Sequence, residues 1–219
     1  MNGIKHGIPL YQQAYIQVKR SILNGSLEPG SKIVVGQLAE EYEVSRTPLR
    51  EALRQLQNDG LIKFQTNGTI SIIDLDEKDF IELCFCRRIL EKEIIQEAIR
   101  CITNDTLEEI KVILDQSEEA VNTEDDLEVL RLNTEFHEKI ILSCENKRLI
   151  ELLERTRAFL LIYRAKIVKE TDQSKTVKEH RQIYNYLCKR DEEAAVKAIE
   201  HHLDNDLERG KEFFKDRSR

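Results

Sequence analysis

The alternation of apolar and polar residues has a helical period over most of the chain, and it is clearest between Ser45 and Gly60. The apolar residues of this segment share one helical face: Leu49, Ala52, Leu53 and Leu56. Three arginines, Arg46, Arg50 and Arg54, repeat every four residues and lie on another face. Such a helix suits the DNA major groove, where arginine contacts phosphates or reads guanine. A solvated basic face on an ordinary helix is the alternative for these residues alone.

The segments around this basic helix complete a winged helix-turn-helix. A helix is predicted over Tyr11–Asn24, and a second, short one within Ile33–Val44, just before the basic helix. Beyond the basic helix, Leu61–Phe64 and Thr69–Ile73 have the apolar, β-branched composition of strands. The residues that join them, Gln65–Gly68, end in Asn-Gly, a strong hairpin signal. Three helices and a hairpin form a winged helix.

The rest of the chain has only helical patterns. The polar run Asp74–Asp79 is predicted to be a junction between a DNA-binding domain over residues 1–74 and a second domain over residues 75–219. Helices in the second domain are predicted over residues 77–102, 105–122, 125–143, 146–169, 173–190 and 191–215. The predicted fold is therefore mainly α, with an N-terminal winged helix-turn-helix and a C-terminal all-α antiparallel bundle.

Composition narrows the class of protein. Residues 1–75 carry eight basic and seven acidic side chains, so the net charge of −7 comes from the remainder of the chain. DNA binding requires only a local basic face, so the acidic total does not exclude it. The chain has no run of about 18 apolar residues and no signal-peptide core, which favours a cytoplasmic protein without a membrane segment. The cysteines are odd in number and lack CxxC spacing, so buried, reduced thiols are expected.

Three histidines of the predicted bundle are candidates for a shared polar site. His137 follows Asn133 by one helical turn, and His180 and His202 lie on two other predicted helices. If the helices converge, three imidazoles and one amide meet at a point, and imidazole suits zinc, nickel, copper or iron. A single histidine on a helix is more often a hydrogen-bonded or surface residue. Spacing alone leaves both interpretations open.

Residues 9–73 resemble the DNA-binding domain of GntR-type bacterial transcription regulators. The matching segments are Pro9-Leu10-Tyr11, Leu27-Glu28-Pro29-Gly30, Leu38-Ala39, the run from Ser45 to Leu53, and Asp59-Gly60-Leu61. The resemblance implies that double-stranded DNA is the partner and that Arg46 and Arg50 contact it. It also implies that Ser45 and Thr47 contact phosphates and that Gly68, at the tip of the wing, enters the minor groove.

Residues 76 to about 215 resemble the all-helical FCD effector domain of the FadR branch. The matching segments are Arg87-Arg88-Ile89-Leu90-Glu91, Phe136-His137, Asn146-Lys147-Arg148-Leu149, Glu179-His180-Arg181-Gln182-Ile183 and His202-Leu203. The resemblance implies a divalent metal, Zn or Ni, on Asn133, His137, His180 and His202. Relatives carry aspartate where this chain has Asn133, and a neutral amide lacks the attraction of a carboxylate for a cation. A metal site and a metal-free polar pocket are therefore the two alternatives.

The same resemblance implies a small effector beside the metal, usually an organic acid, a sugar acid or a similar metabolite. Arg87 and Tyr184 are the effector-binding candidates, because a buried guanidinium can take a carboxylate bidentately. For Arg87, a salt bridge to Glu91 is the alternative. Arg157, Arg164 and Tyr163 are further, weaker candidates for the pocket.

These observations predict a homodimeric, metabolite-responsive transcription regulator on a pseudo-palindromic operator, and they leave open whether it is a repressor or an activator. No enzymatic activity is expected. Two alternatives come from other classes. A metal-dependent hydrolase built on the histidines lacks the HExxH motif, since Ile141 stands where the second histidine belongs. A DNA-binding dimer that senses nothing would not need polar residues at core-directed positions of the bundle.

Overall fold

The computed structural model describes residues 8–217, and the side chains of all of these except residues 165, 169, 170, 216 and 217. The chain divides into two compact units, Met1–Asp74 and Leu75–Arg219. The first contains three helices and a small antiparallel sheet, and the described part of the second is entirely helical. The predicted fold class is confirmed.

The first unit is a winged helix-turn-helix. Its elements in chain order are α1 (Leu10–Leu23), β1 (Lys32–Ile33), α2 (Val35–Glu41), α3 (Arg46–Asn58), β2 (Ile62–Phe64) and β3 (Ile70–Ile72). The sheet has the order β1-β3-β2, and both pairings are antiparallel. Strand β1 was not predicted, because two residues are too few to show a period. Ile33, the first residue of the segment expected to contain the short helix, lies in the sheet and pairs with Ile70.

Local chemistry explains the ends of α3 and the turn of the wing. Ser45, just before α3, has an extended backbone. Gly60, just after α3, adopts a φ of +79°, which turns the chain away from the helix axis. In the wing, Asn67 Oδ1 accepts a hydrogen bond of 2.9 Å from the Thr69 amide. Gly68 has a φ of +81° and donates its amide to the Gln65 carbonyl at 3.0 Å. The turn therefore depends on the Asn-Gly pair.

The second unit is a bundle of helices whose predicted bounds agree with the structure within two residues. They are α4 (Glu77–Cys101), α5 (Asn104–Asn122), α6 (Asp126–Leu142), α7 (Lys147–Glu170), α8 (Gln173–Lys189) and α9 (Glu192–Arg217). Side-chain caps start several of them, for example Asp76 on α4 and Asn146 on α7. Helix α4 packs against α6, α7 and α9, and α8 packs against α5 and α9. This packing brings α6, α8 and α9 around one buried region.

The expectation that the thiols are buried is wrong for three of the five cysteines. Cys84 and Cys144 are buried, whereas Cys86, Cys101 and Cys188 are exposed, and all five are free. The exposed three lie on outward faces of α4 and α8, where the helical period and not the residue type decides burial. Among the described helices, none is both long enough and apolar enough to cross a membrane.

Candidate functional site

The basic helix α3 presents its arginines to solvent. Its apolar stripe is fully buried in the first unit: Leu49, Ala52, Leu53 and Leu56. Arg46, Arg50 and Arg54 are exposed on the other side, and none of them forms an ion pair with a described carboxylate. Ser45, Thr47 and Gly68 are exposed as well. All the residues predicted to contact DNA are therefore free to meet a partner.

In the second unit, the three predicted histidines meet. His137 on α6, His180 on α8 and His202 on α9 are 1%, 2% and 0% exposed. Nε2 of His202 lies 3.2 Å from Nε2 of His137 and 3.3 Å from Nε2 of His180. One ligating nitrogen from each ring lies within 4.8 Å of the other two. Ring nitrogens this close together can coordinate a single metal ion.

Two carboxylates behind the rings set the direction of the imidazole lone pairs. Nδ1 of His202 donates to Glu179 Oε2 at 2.7 Å, and Nδ1 of His137 lies 3.2 Å from Glu91 Oε2. A carboxylate at Nδ1 holds the proton there, so Nε2 keeps its lone pair. Both Nε2 atoms then face the point shared with His180. This is the donor arrangement of a histidine metal site.

Burial keeps two of the three imidazoles neutral. It lowers the pKa of His137 to about 3, although Glu91 opposes the shift. Burial, together with the neighbouring His202 and His137, also lowers the pKa of His180 well below its usual value. The deprotonated imidazole is the form that ligates a metal, so these two rings are ready to bind near neutral pH.

The predicted fourth ligand, Asn133, is already hydrogen-bonded. It is buried on α6, one turn before His137, and its Oδ1 accepts a hydrogen bond from the guanidinium of Arg164 on α7. The amide oxygen thus faces a cationic group of the protein itself. Asn133 lies beside the histidine cluster, in the wall of an adjacent cavity.

That cavity contains about 590 Å³ of empty space, part of it continuous with solvent. Among the side chains that the structure describes, its charged lining consists of four arginines and one aspartate: Arg87, Arg157, Arg164, Arg209 and Asp206. Its apolar lining includes Phe80, Leu160 and Leu161, and its neutral polar lining includes Gln173 and Thr176. An apolar cavity with a few convergent polar groups is the usual form of a small-molecule site, and the excess of arginine favours an anion.

The two predicted effector residues differ in position. Arg87 lines the cavity, but its Nε lies 2.6 Å from Glu91 and its Nη1 lies 2.9 Å from Asp206. The salt bridge to Glu91 is therefore present, and Nη2 of Arg87 has no hydrogen-bond partner among the described residues. Tyr184 is absent from the cavity lining, because it packs against the apolar core of the bundle.

Three charged residues of the site were missed in the sequence, Glu179, Asp206 and Arg209, and so was the contact of Glu91 with His137. Asp206 Oδ2 accepts from Arg87 and lies 3.5 Å from Nε2 of His202, while Asp206 Oδ1 accepts from Arg209 at 2.8 Å. For Asp206, the sequence offered one signal, its position four residues after His202. Charged residues with that spacing are common on solvated helices, so the signal is weak.

Comparison with known proteins gives two family matches. The FCD domain model matches residues 82–205, and the model of the bacterial regulatory proteins of the gntR family matches residues 10–72. The first match covers the described residues of the histidine cluster, and the second covers the basic helix and the wing.

Individual relatives agree with these matches. The chain is 35% identical, over 91% of its length and 90% of the relative's, to the uncharacterized HTH-type transcriptional regulator YdhC of Bacillus subtilis. It is 23% identical to the gluconate operon transcriptional repressor of Bacillus licheniformis, over 86% of this chain and 80% of that one. Among solved structures, Escherichia coli McbR/YncC superposes with a TM-score of 0.84 at 19% identity, covering 92% of this chain and 96% of that one.

Proposed function

Because the chain belongs to the GntR family of bacterial regulatory proteins and carries an FCD domain, and is thus a DNA-binding transcriptional regulator, we propose that a small anionic metabolite in its helical unit controls its affinity for DNA. One observation carries this proposal. A buried histidine cluster and an arginine-lined cavity adjoin each other in the unit that follows the winged helix. The relatives are transcriptional regulators and not enzymes, so the hydrolase alternative is wrong.

The DNA-reading surface is the exposed face of α3 and the tip of the wing. Arg46 and Arg50 lie in the first half of the recognition helix, the part that reaches base edges in helix-turn-helix complexes. Ser45 and Thr47 lie at its start, where backbone amides and hydroxyls can hold phosphate. Gly68 leaves open space at the wing tip, since a Cβ there would meet no atom within 4 Å. The proposed site of action is the cytoplasm, where bacterial DNA resides.

A homodimer on a pseudo-palindromic operator follows from the size of the reading surface. One winged helix spans a short half-site. A two-fold dimer doubles the contact area and adds the binding free energies of two half-sites. Light scattering of the purified protein with operator DNA tests this point. A mass of two chains supports it, and a mass of one chain on DNA contradicts it.

The residues that would hold a divalent metal are His137, His180 and His202. The fit of the donor set rests on the burial of all three imidazoles and on the two carboxylates that hydrogen-bond the Nδ1 atoms of His202 and His137. A bound zinc or nickel ion would supply positive charge beside the cavity and so favour an anionic effector. Position 133 holds the neutral amide of Asn133 and not a carboxylate. This lowers the attraction of the site for a cation.

The proposed effector is an organic acid. The cavity's excess of arginine supports an anion, and its apolar walls support a carbon skeleton. A relative named for the gluconate operon is consistent with this class, because gluconate is a sugar acid. Binding of this effector to the helical unit is proposed to change the affinity of the winged helix for its operator.

The test has two stages. Genomic fragments selected by the purified protein identify the operator, with Arg50→Ala as the control that should not select it. Operator affinity is then titrated with zinc and with carboxylates. A compound that binds the helical unit and shifts operator affinity supports the proposal. A DNA-binding dimer whose operator affinity no bound compound changes supports the alternative without sensing.

A further inference from the structure

We propose that the effector of this cavity is a dicarboxylate, held directly by Arg157 and Arg164 of helix α7. The inference rests on the proposed effector function, and it names the chemical class of the ligand and the residues that select it. The main recognition role thus falls to two of the further candidates from the sequence and not to Arg87. Four observations lead to it: the pairing of the charges, the burial of the guanidiniums, the spacing on α7 and the composition of the walls.

The first observation is that two of the four arginines described in the cavity wall have no partner among the described carboxylates. Arg87 is paired with Glu91 and Asp206. Arg209 is paired with Glu179 at 3.0 Å and with Asp206 at 2.8 Å. Neither Arg157 nor Arg164 forms an ion pair with any described carboxylate. The cavity therefore carries two positive charges that the protein does not neutralise by direct contact.

The second observation is that these charges are taken out of water. Arg157 is only 7% exposed, and its Nη2 is buried without a hydrogen-bond partner in the described structure. Arg164 is half-buried, and the acceptor it has is the neutral amide of Asn133. An unpaired buried charge is destabilising unless a ligand pairs with it. Groups retained at such a cost in a cavity are typical of binding sites.

The pKa values of both guanidiniums are lowered, and burial is the largest cause. Burial lowers the pKa of Arg164 to about 9, Arg87 and Arg157 add to the shift, and Asp206 opposes it. The pKa of Arg157 is also lowered by burial, with Glu91 opposing. Both side chains remain charged near neutral pH. The mutual repulsion of the guanidiniums is relieved by an anion placed between them.

The third observation is the spacing of the two arginines. They are seven residues apart on α7, which is two helical turns, so they lie on one face with Cα atoms about 10.5 Å apart. A ligand with one carboxylate at each end can give each guanidinium its own bidentate partner. A monocarboxylate of the same length leaves one of them unpaired.

The fourth observation is that the walls suit the carbon chain between two carboxylates. Phe80, Leu160 and Leu161 supply apolar surface, and Gln173 and Thr176 can hydrogen-bond hydroxyl groups. The cavity therefore fits aliphatic or hydroxylated dicarboxylates. The length of the carbon chain is set by the reach of the two arginine side chains.

The experiment compares acids that share a carbon skeleton and differ by one carboxylate. The pairs are succinate with butyrate, adipate with hexanoate, and glucarate with gluconate, measured by calorimetry and thermal shift with EDTA present. We expect at least one dicarboxylate to bind ten-fold or more tightly than its partner. Arg157→Met and Arg164→Met should each abolish that preference. Arg155→Met, which alters an exposed arginine of the same helix, should retain it.

A second readout separates binding from a structural role. Without ligand, Arg157→Met should have an unfolding temperature equal to or above that of wild type, because it removes an unpaired buried charge. An unfolding temperature lowered by more than that of Arg155→Met means that Arg157 is structural, and it overturns the inference. The inference is also overturned if no dicarboxylate exceeds its partner, or if the preference survives in both cavity variants.

The failure of this inference is distinguishable from the failure of the proposed function. If a dicarboxylate binds through Arg157 and Arg164 but leaves operator affinity unchanged, the ligand class stands and the regulatory role is wrong. If only monocarboxylates bind the cavity and shift operator affinity, the regulatory role stands and the ligand class is wrong.

Discussion

The carboxylate of Glu179 accepts a 2.7 Å hydrogen bond from Nδ1 of His202, from the side opposite to the histidine cluster. Glu179 also accepts from Arg209 at 3.0 Å. Burial alone would raise the pKa of Glu179, but the hydrogen bonds from His202 and Arg209 lower it to about 2. The ionised carboxylate fixes the Nδ1 proton of His202 and directs the Nε2 lone pair towards His137 and His180.

Substitution of that carboxylate should weaken metal binding even though Glu179 is not a ligand. We expect Glu179→Gln to reduce zinc affinity roughly 10- to 100-fold, the usual cost of losing such a partner. Competition with a chromophoric chelator measures it. Glu118→Gln, which alters an exposed carboxylate of α5, is the control. Equal zinc affinity in wild type and Glu179→Gln would show that the carboxylate does not orient the ring for a metal.

The ligand set itself is tested by three further variants. His180→Ala should abolish zinc binding, because two imidazoles remain, whereas His201→Ala should not, since His201 is exposed. Asn133→Asp should tighten zinc binding by adding a negative charge beside His137, partly offset by Arg164. Elemental analysis after dialysis against zinc reports occupancy. Full zinc occupancy in His180→Ala would contradict the histidine site.

Metal-free protein should lose stability as the pH falls below the ordinary histidine range. The pKa of His137 is lowered to about 3 in the folded state, so its contribution is complete above the unfolded pKa of about 6.5 and declines from there downwards. Between pH 7.5 and pH 5 this amounts to about 2 kcal/mol of unfolding free energy. Urea denaturation with EDTA at both values measures the loss. His137→Gln should show a smaller difference between them, and an equal difference contradicts the burial argument.

Arg50 is the residue whose loss should affect DNA binding most selectively. We expect Arg50→Ala to weaken specific operator binding by about 1–3 kcal/mol and to relax the preference for the operator over other DNA. Arg155→Ala, in the other unit, should leave both unchanged. Anisotropy titrations at one fixed salt concentration decide this. Unchanged operator affinity would remove Arg50 from the reading surface.

The periodicity of apolar residues was sufficient to predict the helices, because each long helix buries one stripe. Helix α6 was predicted over residues 125–143 and spans Asp126–Leu142. Strand β1 was not predicted, because it is defined by its pairing with β3 and not by an alternation of apolar and polar residues. The exposed Cys86 shows the same limit: residue type favours burial, but its helical position faces outward.

The convergence of the histidines came from family resemblance, because spacing alone does not fix which helices adjoin. The residues that surround the histidines could not be predicted from the sequence, and the reason is physical. Glu179 and Arg209 have the composition of a solvated helix surface, and only the packing of α8 against α9 brings them together. The hydrogen bond from Arg164 to Asn133 likewise requires α7 and α6 to be placed in space.

The most direct test of the account measures operator affinity as a function of cavity occupancy. Carboxylates that bind the wild-type protein are titrated into its complex with operator DNA, with Arg157→Met and Arg155→Met in parallel. If the cavity controls DNA binding, at least one of them shifts the operator Kd about 5- to 150-fold in wild type and in Arg155→Met, and not in Arg157→Met. An operator Kd that stays constant while the cavity fills would contradict it.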